Sequence, residues 1–91
     1  MYKIYKYTLE IMDYQEFLLP LRSKILSVCE QHGKVVFYTM VDTAMEHKTK
    51  YSFRIFGTGH PCADSIVFYS FLGTVKLEEG NLMFHVFYQY N

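Results

Sequence analysis

Apolar and polar side chains alternate one by one along much of this chain, and this pattern restricts the fold more than any other feature of the sequence. Segment 5–11 has apolar side chains at its odd positions and Lys6, Thr8 and Glu10 at its even positions. Segment 51–55 repeats the pattern, again with apolar side chains at the odd positions. Successive side chains of a strand point to opposite faces, whereas a helix repeats every 3.6 residues, so a period of two predicts half-buried strands.

Segments of this kind follow one another, separated by turn signals about every ten residues. The predicted strands are 5–11, 17–19, 24–30, 34–42, 51–55, 68–77 and 82–88. Loops around His32-Gly33 and at 78–81 predict two hairpins, and the polar segment 43–50 predicts a loop. We therefore predict an all-β fold over residues 1–91 as a single β domain. Its architecture is expected to be a small antiparallel β-sandwich or barrel of six to seven strands, with little or no helix.

Features of three predicted strands indicate where each strand lies in its sheet or where its pairing is irregular. Pro20 ends the second strand and favours an edge position, because proline cannot donate to a sheet ladder. Segment 34–42 is apolar on both faces, which predicts a central strand. Gly73 predicts a β-bulge within the strand 68–77. Segments 56–58 and 72–74 share a glycine-threonine step, but this similarity is too short to indicate a repeat.

The charge balance and the cysteines restrict the class of partner. Nine basic and nine acidic residues cancel, which argues against duplex nucleic acid because its binding needs many phosphate contacts from Lys and Arg. A net charge near zero favours self-association, so we expect a homo-oligomer. Cys29 and Cys62 are too few for a disulfide framework, and no apolar run approaches the roughly 20 residues of a membrane span. We expect a cytoplasmic protein with no membrane partner.

The segment Phe53–Pro61, FRIFGTGHP, is the strongest candidate for a site. It is no Walker loop, because no Gly-Lys-Ser/Thr follows, and no dinucleotide fingerprint, because the third glycine is absent. It can still aim backbone N–H groups at an anion, with Thr58 and His60 as donors beside Arg54. The alternative, which the sequence favours, is a plain turn with its glycines at positive φ. The predicted contacts to a ligand or partner are Arg54, Gly57, Thr58, Gly59 and His60.

Other residues suggest chemistry only weakly. His60, Cys62 and Asp64 occupy alternate positions, but a cysteine nucleophile also needs a positioned base and an oxyanion hole, and no pattern indicates either. The histidines and cysteines are scattered, without the short spacings of metal ligands. We predict no catalytic residues, no metal and no cofactor. A binding protein is favoured over an enzyme, and a small phosphodiesterase-like enzyme is kept as a minor alternative.

The aromatic content predicts an interface. Nine tyrosines and eight phenylalanines are more than the core of a 91-residue sandwich can bury, and exposed aromatic patches usually mark a partner, a subunit contact or a stacking ligand. The lack of excess positive charge weighs against single-stranded nucleic acid. Candidates for an exposed patch are Tyr2, Tyr38, Phe68, Phe87, Tyr88 and Tyr90. The predicted aromatic interface comprises Tyr38, Phe87, Tyr88 and Tyr90.

Four segments of the chain carry a family resemblance: KIYKYTLEI at the start, SKILSVCEQHGKVVFYTMVD in the middle, FRIFGTGHP, and FLGTVKLEEGNLMFHVFYQ at the end. They resemble segments of a family of small phage and prophage proteins of unknown function. The resemblance covers nearly the whole chain apart from 43–50 and 62–70, and FRIFGTGHP is its most specific part. Leu21-Arg22 departs from the proline-lysine-glycine turn typical of the family. The resemblance implies a phage origin and transfers no catalytic residues.

Small phage accessory proteins without catalytic motifs usually act by binding. We therefore expect a phage-encoded inhibitor of a host anti-phage defence component, working in the cytoplasm of the bacterial cell. It would occlude a host protein or sequester a nucleotide-type immune signal, with Arg54, Thr58, Gly59 and His60 on phosphate and tyrosines stacked on a base. The alternative is an oligomeric structural or assembly protein that associates through its aromatic face.

Overall fold

The structure is a computed structural model that describes residues 1–77 and 80–90, and its regular elements in these ranges are nearly all β-strands. The strands are β1 (Tyr2–Leu9), β2 (Gln15–Pro20), β3 (Lys24–Gln31), β4 (Lys34–Asp42), β5 (Lys48–Gly57), β6 (Ser70–Leu77) and β7 (Leu82–Tyr90). One 3₁₀ helix, Asp64–Phe68, precedes β6, and no helix in the described ranges is long and apolar enough to cross a membrane. The all-β prediction is confirmed.

The strands form two antiparallel sheets that pack on a shared core. One sheet has three strands in the order β1-β4-β3, and the other has four in the order β2-β5-β7-β6. The central position of β4 and the edge position of β2 are as predicted, and a register shift between Phe71 and Gly73 marks the predicted bulge. The four-stranded sheet places four separate segments of the chain side by side, which is how the candidate site is assembled.

The strand pairs of both predicted hairpins are present. The turn between β3 and β4 has positive φ at His32 (53°) and Gly33 (80°), as a type I′ turn requires at both central residues. The N–H of Gly33 donates to the side chain of Glu30 at 2.6 Å and so holds the turn. Strands β6 and β7 are antiparallel neighbours, and the pair nearest the connecting turn is Leu77 with Leu82. The turn predicted at 78–81 includes residues 78 and 79, which lie outside the described residues.

Several predicted strand boundaries are wrong, and the differences in β1, β5 and β6 have identifiable causes. Strand β1 begins at Tyr2 and ends at Leu9, before Ile11, because these are the first and last residues that pair with β4. Strand β5 begins at Lys48, within the segment predicted as loop, because backbone pairing with β2 continues through polar residues that carry no alternation signal. Phe68 belongs to the 3₁₀ helix, where local backbone hydrogen bonds such as that from the Tyr69 N–H to the Ile66 carbonyl replace strand pairing.

Aromatic rings fill the centre of the sandwich. Phe37 of β4 and Phe53 of β5 are completely buried, and their ring centroids are 4.5 Å apart across the two sheets. Phe17 packs edge-on against both rings, and Tyr7 stacks on Phe37 at 5.2 Å. These rings join strands from both sheets, so a large part of the hydrophobic stabilisation depends on them.

The buried hydroxyl of Tyr51 links stability to alkaline pH. It donates to the Ser23 carbonyl at 2.7 Å, and burial, with smaller contributions from Tyr90 and Tyr88, raises the pKa of Tyr51. The folded state therefore favours the neutral phenol. This contribution is complete below the unfolded pKa of about 10 and is lost as the pH rises through the higher folded pKa.

We expect Tyr51→Phe to be less stable than the wild type by about 1–2 kcal/mol near pH 8, because a buried carbonyl loses its donor. The difference should shrink as the pH rises above about 10, because phenylalanine has no proton to release. Urea unfolding followed by circular dichroism at pH 8 to 11 measures both effects, with exposed Tyr2→Phe as the control. Parallel pH curves for wild type and Tyr51→Phe would contradict the linkage.

Candidate functional site

Arg54 and its neighbours lie on the outer face of the four-stranded sheet. The register places Arg54 of β5 opposite Phe87 of β7, which in turn lies opposite Phe71 of β6. Tyr14, just before β2, and Tyr69, just before β6, contact Arg54 on the same face. We name the surface formed by these five residues the Arg54 face. The predicted outward orientation of Arg54 is correct, whereas no local sequence pattern links it to either tyrosine.

Two tyrosine rings hold the guanidinium of Arg54 in place. Its central carbon lies 4.5 Å from the centroid of the Tyr14 ring and 5.7 Å from that of the Tyr69 ring. A cation within about 6 Å of a ring centroid is attracted by the ring, by about 0.5–1 kcal/mol at exposed sites and more when desolvated. The rings therefore orient the guanidinium without neutralising its charge.

The charge of Arg54 has no counter-ion in the described part of the chain. Its Nε is buried and lacks a hydrogen-bond partner there, and no described carboxylate forms an ion pair with it. Glu16, an acid on the same sheet face, already accepts a hydrogen bond from the Tyr14 hydroxyl and lies 3.6 Å from the ammonium of Lys50. Because buried charges are normally paired, Arg54 has unused capacity to bind an anion.

His85 ties the FGTGHP corner to the neighbouring strand. Its Nε2 lies 2.8 Å from the Thr58 hydroxyl, and its Nδ1 lies 3.0 Å from the Thr74 hydroxyl. A neutral imidazole has one donor and one acceptor nitrogen, and a hydroxyl serves as either, so both bonds form in either tautomer. The two glycine-threonine steps of the sequence thus supply the two hydroxyls that bind one histidine. Their similarity was the available signal for this contact, which the sequence analysis missed.

The corner itself is a tight turn. The His60 N–H donates to the Gly57 carbonyl at 3.1 Å, and Gly59 has φ 84°, as a type II turn requires at its third position. The His60 ring folds back over the turn, since a Cβ on Gly57 would lie 2.9 Å from its Nδ1. One corner amide is therefore used within the turn, and both glycines have a structural role.

A cleft of about 290 Å³ opens between this turn and the start of β7. Its lining residues are Gly57, Thr58, His60, Asn81, Leu82, Met83 and Phe84. None of these is a lysine or an arginine, so the cleft offers hydrogen bonds and apolar contact but no fixed positive charge. Of the predicted contacts, Gly57, Thr58 and His60 line the cleft, Gly59 lies exposed at the turn, and Arg54 lies on the sheet face.

A comparison of the sequence with known protein families finds one family that matches over the whole chain. Residues 1–91 match DUF7352, a domain of unknown function. The chain belongs to the DUF7352 family. No curated protein and no solved structure matches it. The function of this DUF7352 chain therefore has to be inferred from its own side chains.

The alternate residues His60, Cys62 and Asp64 of the DUF7352 chain are all exposed. The Cys62 thiol points to the carbonyl of His60, at 3.9 Å, and Asp64 begins the 3₁₀ helix. The thiol thus contacts a backbone oxygen instead of the imidazole that a nucleophile would need. Within residues 1–77 and 80–90, no group of three or more histidine, cysteine or acidic side chains is placed to hold a metal ion.

The four aromatic residues predicted as an interface do not share one face of the DUF7352 sandwich. Tyr38 lies on the outer face of the three-stranded sheet, half-buried between Lys6 and Ser27 of the flanking strands. Phe87 belongs to the Arg54 face, whereas Tyr88 points the other way and packs on the core. Tyr90, on the same side of β7 as Tyr88, contacts Tyr51 and is exposed at the strand end.

Exposed apolar side chains occur instead in the 3₁₀ helix and at the start of β6, on either side of Tyr69 in the sequence. Val67 and Phe68 of the 3₁₀ helix are 76% and 75% exposed, and Phe71 is 58% exposed. Tyr69, between them in sequence, contacts Arg54. The Arg54 face of this DUF7352 chain is therefore a charged centre beside an apolar margin, which is a composition typical of binding surfaces.

Replacing His85 by alanine is expected to loosen the corner of the DUF7352 chain. Both threonine hydroxyls lose their partner, which should cost about 1–2 kcal/mol in unfolding free energy, and the amides of Gly59 and His60 should exchange faster with solvent. Hydrogen exchange by NMR measures the second effect. Thr74→Val is the matched control, since it removes one hydroxyl and leaves the bond from Thr58 to the ring. Equal exchange in wild type and His85→Ala would show that the ring does not hold the turn.

Proposed function

We propose that this DUF7352 chain is a small binding protein that captures an anionic group of its partner on the Arg54 face. One observation carries the proposal: the Arg54 guanidinium is oriented by two tyrosine rings while its charge lacks a counter-ion among the described residues. An arginine fixed in this way loses little side-chain entropy when a ligand arrives, which favours tight and oriented binding.

The biological setting forms the second part of the proposal. The resemblance of FRIFGTGHP and three further segments to phage and prophage proteins supports a phage origin. In that setting the protein acts in the cytoplasm of the bacterial host as an inhibitor of an anti-phage defence component. It does so by occluding a host protein or by sequestering a nucleotide-type immune signal, and no catalytic step is involved.

Calorimetric titration with the isolated protein tests the signal-sequestering version. If the protein sequesters such a signal, cyclic nucleotides or ADP-ribose derivatives give saturable heat with the wild type and none with Arg54→Met, which keeps an unbranched side chain and removes the charge. Absence of heat from all of these ligands would eliminate sequestering. The occlusion version would then have to show co-purification of a defence protein with the wild type and its loss with Arg54→Met.

The exposed Val67, Phe68 and Phe71 favour one second candidate, an assembly protein that works as a homo-oligomer. Apolar side chains this exposed are often covered by another subunit. Size-exclusion chromatography with light scattering distinguishes the two candidates. An oligomer that becomes monomeric on Phe68→Ser supports assembly through this margin, and a wild-type monomer removes it.

A further inference from the structure

We infer that the group bound by Arg54 is a single side-chain carboxylate on a protein surface, flanked there by apolar side chains. The inference rests on the proposed function and names the chemistry of the partner. It follows from the arrangement of charge on the outer face of the four-stranded sheet and from the side chains that border Arg54.

Among the described residues, Arg54 is the one positive charge of the Arg54 face, and it forms no ion pair with any of them. Lys50, on the same sheet face, is engaged with Glu16 at 3.6 Å. Lys76 lies opposite Met83 of β7, and Arg54 lies opposite Phe87 of the same strand. Met83 and Phe87 are four residues apart, so Lys76 is displaced from Arg54 by about 13 Å along the strands. A nucleotide diphosphate or a cyclic dinucleotide carries two or more charges within a shorter distance, so most of its charge would meet no cation here. One carboxylate matches one guanidinium.

The border of Arg54 is apolar on the side of β7 and β6. Phe87 lies directly opposite Arg54, and Phe71, which is 58% exposed, lies opposite Phe87. Val67 and Phe68, which are also strongly exposed, directly precede Tyr69 in the chain. A ligand whose charge is solvated on all sides would leave this margin in water, whereas a carboxylate set among apolar side chains would bury it and would strengthen the ion pair by excluding water.

The residue types at the centre match the anchors of protein interfaces. Arginine and tyrosine are enriched among the residues that dominate binding energy, and they cluster where a rim of neighbouring side chains excludes water. In this chain Arg54 lies between Tyr14 and Tyr69, with Phe71 and Phe87 beside it. Guanidinium and carboxylate are both planar, so the exposed edge of Arg54 can donate two parallel hydrogen bonds to one carboxylate.

NMR titration of the isotope-labelled full chain tests the inference at the residue itself, through the Nε–Hε signal of Arg54. Four probes are compared: the capped tripeptide Phe-Asp-Leu, its capped Phe-Asn-Leu analogue, inorganic phosphate and AMP. We expect Phe-Asp-Leu to shift the signal saturably, at concentrations at least about tenfold lower than any of the other three. Phe71→Ser should weaken the peptide alone, and Ile4→Ser, at an exposed apolar position of the other sheet, should change nothing.

Each of the other possible results would overturn a specific claim. Tighter binding of phosphate or AMP than of Phe-Asp-Leu overturns the carboxylate inference and leaves anion binding by Arg54 intact. Equal binding of the Asp and Asn peptides overturns the role of charge in peptide recognition. No shift with any probe overturns both the inference and the proposed anion-binding function. A backbone amide spectrum that is unchanged elsewhere in Phe71→Ser verifies that this variant is folded.

Discussion

Phe37→Ala is expected to lower the free energy of unfolding by about 3–5 kcal/mol, the range found for truncating a fully buried phenylalanine. Phe37 is completely buried and contacts Tyr7 of its own sheet and Phe17 and Phe53 of the other. Alanine would leave a cavity between two sheets whose backbones are held by ladders of hydrogen bonds and cannot collapse into it. The loss therefore includes both the transfer of the ring and the cavity.

Urea unfolding followed by circular dichroism measures this loss, and the small size of the chain makes it severe. Domains of this size have total stabilities near the low end of about 5–15 kcal/mol, so Phe37→Ala should be largely unfolded at 37 °C. Phe71→Ala is the matched control: it truncates the same residue type on the outer face, at 58% exposure, and should cost less than about 1 kcal/mol. Similar losses in the two variants would place the core elsewhere.

The sandwich was predictable because alternation reports directly on which side of a strand is buried. Segment 51–55 shows this: Tyr51, Phe53 and Ile55 are buried in the core as predicted, and Arg54 lies on the other face. Strand ends were less predictable. The N-terminal part of β5 consists of polar residues, and only its pairing with β2 makes it a strand, since backbone hydrogen bonds need no particular side chain.

The candidate site was only partly predictable, because its parts are close in space and distant in sequence. Arg54 and the corner were identified from one continuous stretch. Tyr14 lies between two predicted strands and Tyr69 near the start of another, and their meeting with Arg54 depends on the strand order β2-β5-β7-β6. The contact of Thr58 and Thr74 with His85 depends on the same order. Sheet order is set by packing between segments, which a pattern of period two does not encode.

Arg54→Met is expected to have opposite effects on binding and on stability. On the proposed function, the variant loses the charge that pairs with the partner's anionic group, and truncation of such a central charged residue typically costs 2 kcal/mol or more, about thirtyfold in affinity. Methionine retains an unbranched stem, and its sulfur packs well against aromatic rings such as those of Tyr14 and Tyr69. The variant also removes a buried Nε–H that has no partner among the described residues.

The free energy of unfolding of Arg54→Met should therefore equal or exceed that of the wild type, by up to about 1 kcal/mol, because an unsatisfied buried donor costs stability. Thermal and urea unfolding measure this, and Arg22→Met, at the other arginine, exposed in the loop before β3, should change neither stability nor binding. A loss of more than about 1 kcal/mol in Arg54→Met would show that the two cation–π contacts stabilise the fold more than desolvation destabilises it. Arg54 would then be a structural residue of the sheet. A stable variant that no longer binds would instead show that this position sacrifices stability for recognition, as is common at functional sites.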